Sequence, residues 1–269
     1  GTDGNRTICE VEQSTSFFIR GLCMNKLETI KNYALENAVP IIQDEGFQFL
    51  KEKFLDYHCH SFLEIGTAIA HTAIQIALLD ESIRVVTIER DPKMIEQAKK
   101  NIQDLGLENQ ITLIEGDALE VEVQGVFDCI FIDAAKAQYT RFFNKFSPLL
   151  AQDGIILTDN MNFHGLVEHP ERTNNRNTKS LVRKIRAYHD FLTELEDFQV
   201  EFYNVGDGIA LARRKKNASA LTAVLAKLHL DRERKKELDA FLLPEDEDTV
   251  VVDVPVKSET AQKENEFLA

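Results

Sequence analysis

The sequence lacks the features that would place the protein in a membrane or in an oxidising compartment. No apolar run approaches the ~20 residues that a membrane-spanning helix needs. The apolar patch at 17–19 is too short for a signal peptide, and no cleavage pattern follows it. The four cysteines are scattered and form no C-x-x-C pair, which favours a reducing environment over a disulfide framework. We therefore expect a cytoplasmic protein that has no membrane partner.

Common catalytic and binding signatures are also missing. There is no G-x-S-x-G motif and no cysteine paired with a histidine in a catalytic arrangement, which argues against covalent hydrolase chemistry. The dinucleotide fingerprint G-x-G-x-x-G would need glycines at 68 and 71, where Ala68 and His71 stand. A net charge of −14 argues against indiscriminate nucleic-acid binding.

The stretch 61–79 carries the pattern around which the chain is organised. A short apolar run at 61–65 is typical of a buried strand, Gly66 interrupts it, and apolar residues at helical spacing follow from Ala70. A strand, a glycine turn and a helix form the first half of a nucleotide-binding βαβ unit, because the helix N-terminus offers free N–H groups to the ligand. Glu89 ends the next strand, 23 residues after Gly66, where such folds place the carboxylate that binds ribose hydroxyls.

Glu64, at the end of the first strand, narrows the choice of ligand. Its carboxylate would repel a pyrophosphate, and the single Gly66 leaves less room than a pyrophosphate usually needs. An acid here suits a ligand with an amino group or a positive charge, and S-adenosylmethionine carries both an ammonium and a sulfonium. The simpler interpretation is an α/β turn without a ligand, but Glu89 arrives in register for a cofactor site.

Strands and helices alternate through the rest of the chain, which predicts a parallel sheet with right-handed crossovers. Further strands are predicted at 84–89, 111–115, 127–132, 154–158, 198–204 and 208–213. The last two are joined by a turn short enough for a hairpin, so one of them should be antiparallel. We predict an α/β, Rossmann-like fold with a seven-stranded, mostly parallel sheet, one antiparallel strand and helices on both faces. Four successive strands end in acids, namely Glu89, Asp117, Asp133 and Asp159, and ligands bind at this carboxyl edge.

The densest polar group at this edge contains Asp133, Lys136, Asp159 and Asn160. Two carboxylates and an amide oxygen are hard ligands for Mg²⁺ or a similar ion. Acids that merely cap loops and helices are the simpler interpretation, and Asp117 fits it, but the adjacent Asp159 and Asn160 facing Asp133 favour the metal. Lys136 is either a candidate base that takes a proton beside the divalent ion or a solvated surface lysine.

Two features beyond this edge bear on the substrate. His164 follows Asn160 by four residues and either contacts substrate or caps its loop. A run of six bases without an acid comprises Arg172, Arg176, Lys179, Arg183, Lys184 and Arg186. In a helix predicted over 178–195, Lys179, Arg183 and Arg186 share one face, while Arg176 and Asn177 precede the helix. This face either binds RNA phosphates or is an ordinary solvated surface.

The motifs together resemble the metal-dependent O-methyltransferases, the family of catechol and caffeoyl-CoA methyltransferases. The matching segments are FLEIGTA at 62–68, IERD at 88–91, GDAL at 116–119, FDCIFIDAAKAQY at 127–139 and LTDNMNFHGLV at 157–167. The resemblance covers about Leu27 to Arg214. Within the family, RNTKSLVRKIRAYHDFL at 176–192 and VGDGIALARR at 205–214 are most similar to the bacterial tRNA 5-hydroxyuridine methyltransferases, which make 5-methoxyuridine at the wobble position.

The resemblance implies S-adenosylmethionine as cofactor, a homodimer, and a role for each matching residue. Asp133, Asp159 and Asn160 would bind Mg²⁺ or another divalent ion such as Mn²⁺, and Lys136 and Asp133 would be catalytic. The implied cofactor contacts are Val39, Glu64, Gly66, Thr67, Ala68, Thr72, Glu89, Asp117, Ala118 and Asp133. The implied substrate or RNA contacts are His164, Arg176, Asn177, Lys179, Arg183 and Arg186. The family usually has glycine and an aromatic residue where this chain has Ala70 and His71, so details of cofactor contact differ here.

We predict methylation of 5-hydroxyuridine at the wobble position of tRNA, with the anticodon arm as partner. O5 and the O4 carbonyl of this base lie on adjacent carbons, as catechol hydroxyls do, and both can chelate one ion. The first alternative is a small phenolic substrate of the catechol or caffeoyl-CoA type, which needs no basic face. An alternative of another class is a non-catalytic cofactor-binding regulator, which the complete metal and base set disfavours.

The composition predicts four segments. Residues 1–23 show no clear periodicity and are expected to be a tag or a disordered extension, and residues 24–216 form the methyltransferase domain. Residues 217–243 have a helical pattern, and residues 244–269 carry eight acids and two bases. This acidic tail is expected to be disordered.

Overall fold

The structure, a computed structural model, describes residues 23–215. The helical extension predicted at 217–243, the acidic tail at 244–269 and all but the last residue of the segment 1–23 lie outside the described residues. The helices are α1 (residues 23–36), α2 (Asp44–Asp56), α3 (His71–Ala77), α4 (Pro92–Asp104), α5 (Tyr139–Phe146) and α6 (Arg176–Thr193). The strands are β1 (Ser61–Ile65), β2 (Arg84–Glu89), β3 (Ile111–Glu115), β4 (Phe127–Ile132), β5 (Leu150–Thr158), β6 (Phe198–Tyr203) and β7 (Ile209–Arg214).

The strands form one seven-stranded sheet in the order β3-β2-β1-β4-β5-β7-β6. Strands β1 to β5 pair in parallel, whereas β7 is antiparallel to both β5 and β6. The order reverses between β1 and β4, and this is where ligands bind in open α/β sheets. The predicted fold class is confirmed, including the single antiparallel strand.

The core has two layers because successive strand residues face opposite sides of the sheet. Phe62 packs into the cluster that includes residues of α1 to α4, whereas its neighbour Leu63 packs into the cluster with α5 and α6. Strands buried on both faces read as continuous apolar runs, which is why β1 and β4 were predictable from composition. None of the helices within residues 23–215 is both long and apolar enough to cross a membrane.

Two helices begin where a side chain caps their free N–H groups. Asp91 accepts hydrogen bonds from the backbone N–H groups of residues 93 and 94, directly before Pro92. Asn175 accepts from the backbone N–H groups of Asn177 and Thr178. Because Asn175 caps it, α6 begins at Arg176 rather than at the predicted Thr178. Arg176 and Asn177 therefore lie in its first turn and not ahead of it.

Two further boundaries differ from the sequence prediction. Helix α3 begins at His71 rather than Ala70, because Ala70 has a left-handed backbone with φ of 66° and cannot be part of a right-handed helix. The apolar pattern predicts the next helix near 138–150, whereas α5 ends at Phe146, and a short 3-10 turn that contains Pro148 follows before β5 begins at Leu150. Proline cannot donate the backbone hydrogen bond that a continuing helix would need.

Candidate active site

The carboxyl ends of β1, β2, β4 and β5 meet at one edge of the sheet. The ladder continues past the strand ends, since Asp133 N–H donates to Ile65 O at 3.0 Å and Asp159 N–H donates to Ile132 O at 3.1 Å. Gly66 N–H donates to Ile88 O at 3.1 Å. These hydrogen bonds hold the first residue after each of β1, β4 and β5 at the same edge of the sheet. The predicted cofactor loop and the predicted metal ligands are therefore neighbours.

Gly66 is required where the cofactor loop passes the end of β4. Its φ is +102°, a conformation that L side chains rarely adopt, and a Cβ at this position would overlap the Asp133 backbone carbonyl. Only glycine lets the two backbones approach so closely. The glycine turn recognised in the sequence thus sets the separation between the cofactor loop and the strand that carries Asp133.

An open cleft of about 300 Å³ lies over this edge. The predicted site residues that line it are Gly66, Ala68, Glu89, Asp117, Ala118, Asp133, Lys136 and Asn160. Other predicted residues are buried outside this lining, namely Val39, Glu64, Thr67, Thr72 and Asp159. Lining residues that the sequence prediction missed include Pro40, Arg90, Met94, Gln138 and Phe142.

Glu89 organises the cofactor side of the cleft. Its carboxylate accepts hydrogen bonds from the backbone N–H of Ala68 at 2.8 Å, of Arg90 at 2.9 Å and of Asp91 at 3.0 Å. The carboxylate is therefore held against the glycine turn of β1. Oε1 accepts two of these hydrogen bonds and Oε2 accepts one. Each carboxylate oxygen has two acceptor positions, so Oε2 keeps one position for a ribose hydroxyl, the contact that the prediction assigns to this residue.

Arg90 forms part of the cleft wall that sequence reasoning overlooked. Its guanidinium donates to the Asp117 carboxylate at 3.0 Å, and the Asp117 carboxylate also accepts from Leu119 N–H at 2.9 Å. The Leu119 hydrogen bond and the neighbouring Arg90 charge hold the pKa of Asp117 below its usual range. The available signal was the position of Arg90, directly after the strand-end acid Glu89.

Glu64 lies beneath the cofactor loop, where it is 2% exposed. Thr87, its register partner in β2, donates to the carboxylate at 2.5 Å, and the Thr67 hydroxyl lies 2.6 Å from the Thr87 hydroxyl. With Thr87 donating to Glu64, Thr67 is the donor to Thr87. Burial raises the pKa of Glu64 well above its usual value, and the nearby Asp133 and Glu89 add to the rise. A cationic ligand group would stabilise the ionised carboxylate.

Ala70 and His71 replace the family's usual glycine and aromatic residue beside this loop. His71 is 6% exposed, and Gln75 Nε2 lies 3.3 Å from its Nδ1. Burial lowers the pKa of His71 to about 4, so the imidazole is neutral at physiological pH. His71 therefore provides an uncharged ring at the start of α3, as an aromatic residue would.

Asp133 and Asp159 form the electrostatic centre of the site. Burial raises the pKa of both carboxyls, repulsion from Asp133 raises that of Asp159 further, and the Lys136 ammonium opposes the rise in both. Lys136 Nζ donates to Asn160 Oδ1. The structure thus brings together all four residues of the predicted metal and base group.

The donor set fits a divalent cation. Residues 23–215 contain no cluster of three His, Cys, Asp or Glu side chains that could hold a metal, so an ion here would have Asp133, Asp159 and the amide oxygen of Asn160. Two or three protein oxygens, completed by water or substrate, are what Mg²⁺ commonly takes. A positive charge between the two carboxylates would also offset the burial that raises both pKa values and the repulsion from Asp133 that raises that of Asp159.

Two buried tyrosines support the strand end that carries Asp159. Tyr139 donates its hydroxyl to Asp159 O at 3.0 Å, and the Tyr188 hydroxyl lies 2.8 Å from the Thr158 hydroxyl. The two tyrosine rings are in contact, with centroids 5.3 Å apart. Helices α5 and α6 therefore fix the position of Asp159 from the side opposite the cleft.

The basic residues of α6 lie on its exposed side, as predicted. Its buried residues are Val182, Ile185, Tyr188 and Leu192. None of the six bases between 172 and 186 forms an ion pair within residues 23–215. Arg186 is not free, however, because its Nε donates to Val167 O at 3.0 Å. The guanidinium therefore anchors the preceding loop while the residue remains exposed.

Comparison with known proteins agrees with this architecture. A sequence model of the O-methyltransferase family matches residues 13–215. A caffeoyl-CoA O-methyltransferase of Populus trichocarpa is 30% identical over 211 residues, which cover 72% of this chain and 82% of that protein. A catechol O-methyltransferase of Niastella koreensis is 32% identical over 190 residues, which cover 65% of this chain and 82% of that protein.

Solved structures show the same relationship. A Staphylococcus aureus protein with a provisional caffeoyl-CoA O-methyltransferase assignment is 35% identical, with a TM-score of 0.67, and covers 75% of this chain and 99% of its own. An O-methyltransferase of Bacillus cereus, crystallised with S-adenosylhomocysteine (SAH), is 26% identical, with a TM-score of 0.61, and covers 71% and 91%. This chain therefore belongs to the O-methyltransferase family, the class I S-adenosylmethionine-dependent enzymes that include the caffeoyl-CoA and catechol O-methyltransferases.

Proposed function

We propose that the protein methylates one oxygen of an acceptor that carries two adjacent oxygens, with the help of a divalent ion. The observation that carries this proposal is the pair of carboxylates placed beside Lys136 at the end of the cofactor cleft, with Asp159 buried and Asp133 half-buried. Isolated buried carboxylates are unfavourable, whereas a bound cation and two acceptor oxygens make this arrangement favourable. A regulator that only bound the cofactor would need neither the ion nor the lysine.

Each residue then has a defined task. Glu64 would bind the cofactor's ammonium, and Glu89 its ribose hydroxyls, which orients the methyl group towards Asp133. Asp133, Asp159 and Asn160 would hold the ion, which supplies Lewis-acid stabilisation of the acceptor's anionic oxygen. Holding donor and acceptor in one geometry accounts for much of the rate gain in such a transfer.

Lys136 would manage the acceptor's proton. Its Nζ donates a hydrogen bond to Asn160 Oδ1, so Nζ would lie next to an acceptor oxygen bound to the ion. In its neutral amine form, Nζ would take the hydroxyl proton, and the acceptor oxygen would displace SAH from the methyl group that S-adenosylmethionine supplies. This direct displacement needs no covalent bond to the enzyme.

The acceptor class that the relatives favour is a small phenol with adjacent hydroxyls. The Populus and Niastella relatives are named for caffeoyl-CoA and catechol, and this chain brings two acids and a lysine together at the cleft. We therefore place a catechol-type substrate first. The wobble 5-hydroxyuridine of tRNA is the second candidate. The specific observation that favours it is the basic surface of α6, on which none of the lysines and arginines forms an ion pair within residues 23–215.

Metal dependence is tested with chelation and a substitution. EDTA should abolish methyl transfer to catechol or caffeoyl-CoA, and Mg²⁺ or Mn²⁺ should restore it. Asp159→Asn should lower kcat by about 100-fold or more, since even residues that merely orient metal ligands are worth 10–100-fold. Asp153→Asn changes an exposed acid of the same strand and is the matched control. Full activity after exhaustive chelation, or in Asp159→Asn, would contradict the proposal.

The acceptor is identified by offering both candidates to the same preparation. Radiolabelled cofactor is incubated with catechol, with caffeoyl-CoA, and with tRNA that contains unmethylated 5-hydroxyuridine. Transfer to the phenols alone supports the first candidate. Transfer to tRNA with much higher kcat/KM supports the second, and transfer to none of them contradicts both.

A further inference from the structure

The loop that follows the metal ligand Asn160 is docked on the turn between β6 and β7. Met161 N–H donates to Gly208 O at 2.9 Å, and Asn162 N–H donates to Asp207 O at 2.8 Å. A Cβ on Gly208 would lie 2.6 Å from Asn162 side-chain atoms, and its φ is +82°. The glycine is therefore required for this close approach, which places the turn directly against the metal edge.

The docked loop has a backbone that local sequence does not favour. Asn160, Phe163 and His164 have φ of 59°, 44° and 55°, and non-glycine residues rarely adopt this left-handed region. Such conformations persist only where surrounding contacts hold them, and they concentrate at functional sites. The contacts that hold this loop come from the β6–β7 turn.

The side chain of Asp207 supplies the contact at the far end of the loop. Asp207 is 6% exposed, and its Oδ1 accepts a hydrogen bond from the His164 backbone N–H. The same oxygen lies 3.7 Å from His164 Nδ1. Its Oδ2 is buried and has no hydrogen-bond partner within residues 23–215. Within the described residues, the Asp207 side chain therefore acts on the loop through Oδ1 alone.

The loop connects the groups on which the proposed chemistry depends. Asn160 stands at its start beside Lys136 Nζ, and the same Nζ lies 5.8 Å from the centroid of the Phe163 ring. The His164 side chain is 71% exposed at its end. A shift of the loop would thus move a metal ligand, the partner of the base and the side chains nearest to an incoming acceptor.

We propose that Asp207 is a positioning residue that sets the acceptor loop 160–164 and, through it, Asn160. The inference rests on the proposed function, because the acceptor and the ion are those assigned above. Asp207 acts through the loop backbone and does not itself contact the reacting atoms. It is a determinant of acceptor and ion binding, and cofactor binding does not depend on it.

Two variants separate charge from hydrogen bonding. Asp207→Ala removes the acceptor of the His164 N–H, whereas Asp207→Asn keeps an oxygen there and removes the charge. In Asp207→Ala we expect Mn²⁺ affinity, measured by electron paramagnetic resonance, to fall about tenfold, and KM for the acceptor to rise by a similar factor. The affinity for SAH, measured by calorimetry, should stay within about twofold of the parent. Asp207→Asn should recover most of both losses.

A readout that needs neither ion nor acceptor keeps the inference separate from the proposed function. Hydrogen–deuterium exchange of the peptide 157–167 should be faster in Asp207→Ala and near the parent rate in Asp207→Asn. Asp197→Ala, which changes an exposed acid at the other end of β6, is the control. If the parent binds no Mn²⁺ and methylates nothing, the proposed function fails, and the exchange data still decide the role of Asp207 in the loop.

Two outcomes would overturn the inference. One is an Asp207→Ala protein with parental exchange at 157–167, which would show that the carboxylate does not hold the loop. The other is a parallel loss of SAH affinity and thermal stability with no selective effect on Mn²⁺ or on KM, which would show a general structural role.

Discussion

Glu64, Asp133 and Asp159 lie at the carboxyl edge of the sheet. The fold buries Glu64 and Asp159 and half-buries Asp133. Burial raises the pKa of all three carboxyls. Charge repulsion from Asp133 adds to the rise in the pKa of Glu64 and in that of Asp159. Thr87 is the neutral donor to Glu64, and Lys136 is the cation beside the other two. Within the described site, the negative charge therefore exceeds the positive charge until a ligand binds.

Glu64→Gln should separate stability from function. Because the folded-state pKa of Glu64 is raised, the native state holds its proton more tightly than the unfolded chain does. Its contribution to stability is complete below the unfolded pKa and is lost as pH rises through the folded pKa. Without ligand, Glu64→Gln should therefore melt at a higher temperature than the parent, by an amount that grows with pH. Thr87 can still donate to the amide oxygen.

The same substitution should weaken cofactor binding. The charge-assisted contact with the cofactor's ammonium is worth about 1.5–3 kcal/mol, so S-adenosylmethionine affinity by calorimetry should fall by about 10- to 100-fold. Glu96→Gln, an exposed acid of α4, is the control and should change neither property. Parental cofactor affinity together with an unchanged melting profile would contradict the role assigned to Glu64.

At the scale of secondary-structure elements, the two sides of helix α6 have different roles. Its buried side holds Tyr188 against Thr158, next to Asp159, whereas its other side displays the basic residues. Arg186 combines both roles, since its side chain is part of the exposed basic surface and also donates a hydrogen bond to Val167 O. Replacing Arg186 would disturb the loop as well as the charge, so it is unsuited to a test of RNA binding.

Lys179→Glu combined with Arg183→Glu is the sharper test of the basic surface. Both side chains are exposed, one turn apart, and free of ion pairs in the described structure. If tRNA is the substrate, the variant should bind it more weakly, with a salt dependence whose slope falls by about one per lost phosphate contact. Methylation of catechol should be unaffected, because neither residue lines the cleft.

Lys99→Glu combined with Lys100→Glu makes the same change in net charge on α4 and is the charge control. It also removes the exposed ion pairs of these lysines with Glu115 and Asp104, so its melting temperature is measured beside that of the parent. A reduced tRNA affinity in the α6 variant alone would assign the effect to the surface. Equal tRNA binding by the parent and both variants would leave the basic residues as a solvated helix face and favour the phenolic substrate.

At the scale of the whole molecule, the cleft and its supports come from one continuous domain. The described residues that line the cleft lie between Pro40 and Asn160, and the described supports from α6 and the β6–β7 turn lie between residues 176 and 208. The two core layers enclose the sheet on both faces.

A protein consisting of residues 24–216 should accordingly bind SAH with the affinity of the full chain, within about twofold. Calorimetry on both proteins is the measurement, and catechol methylation provides a second comparison. A large loss of affinity in the shortened protein, with its circular dichroism unchanged, would show that residues outside the domain complete the site.

Local pattern was sufficient to locate most of the fold and the acids of the site. Buried strands are short apolar runs, and their ends were marked by Gly66, Glu89, Asp133 and Asp159, because glycine turns and polar loops interrupt hydrophobic periodicity locally. Helix boundaries were less accurate where a cap decided them, as at Asn175, since capping depends on the geometry of the turn.

The sequence by itself determined the family, the α/β class and the residues that end each strand, because these are properties of neighbouring residues. Only the tertiary structure decided which strands became neighbours, and with them the contacts across large separations. Asp207 reaches the His164 backbone over 43 positions and Arg186 reaches Val167 over 19. Local spacing contains no information about such pairs. The Asp207 contact forms because β7 inserts antiparallel beside β5, which brings the β6–β7 turn to the carboxyl edge of the parallel strands.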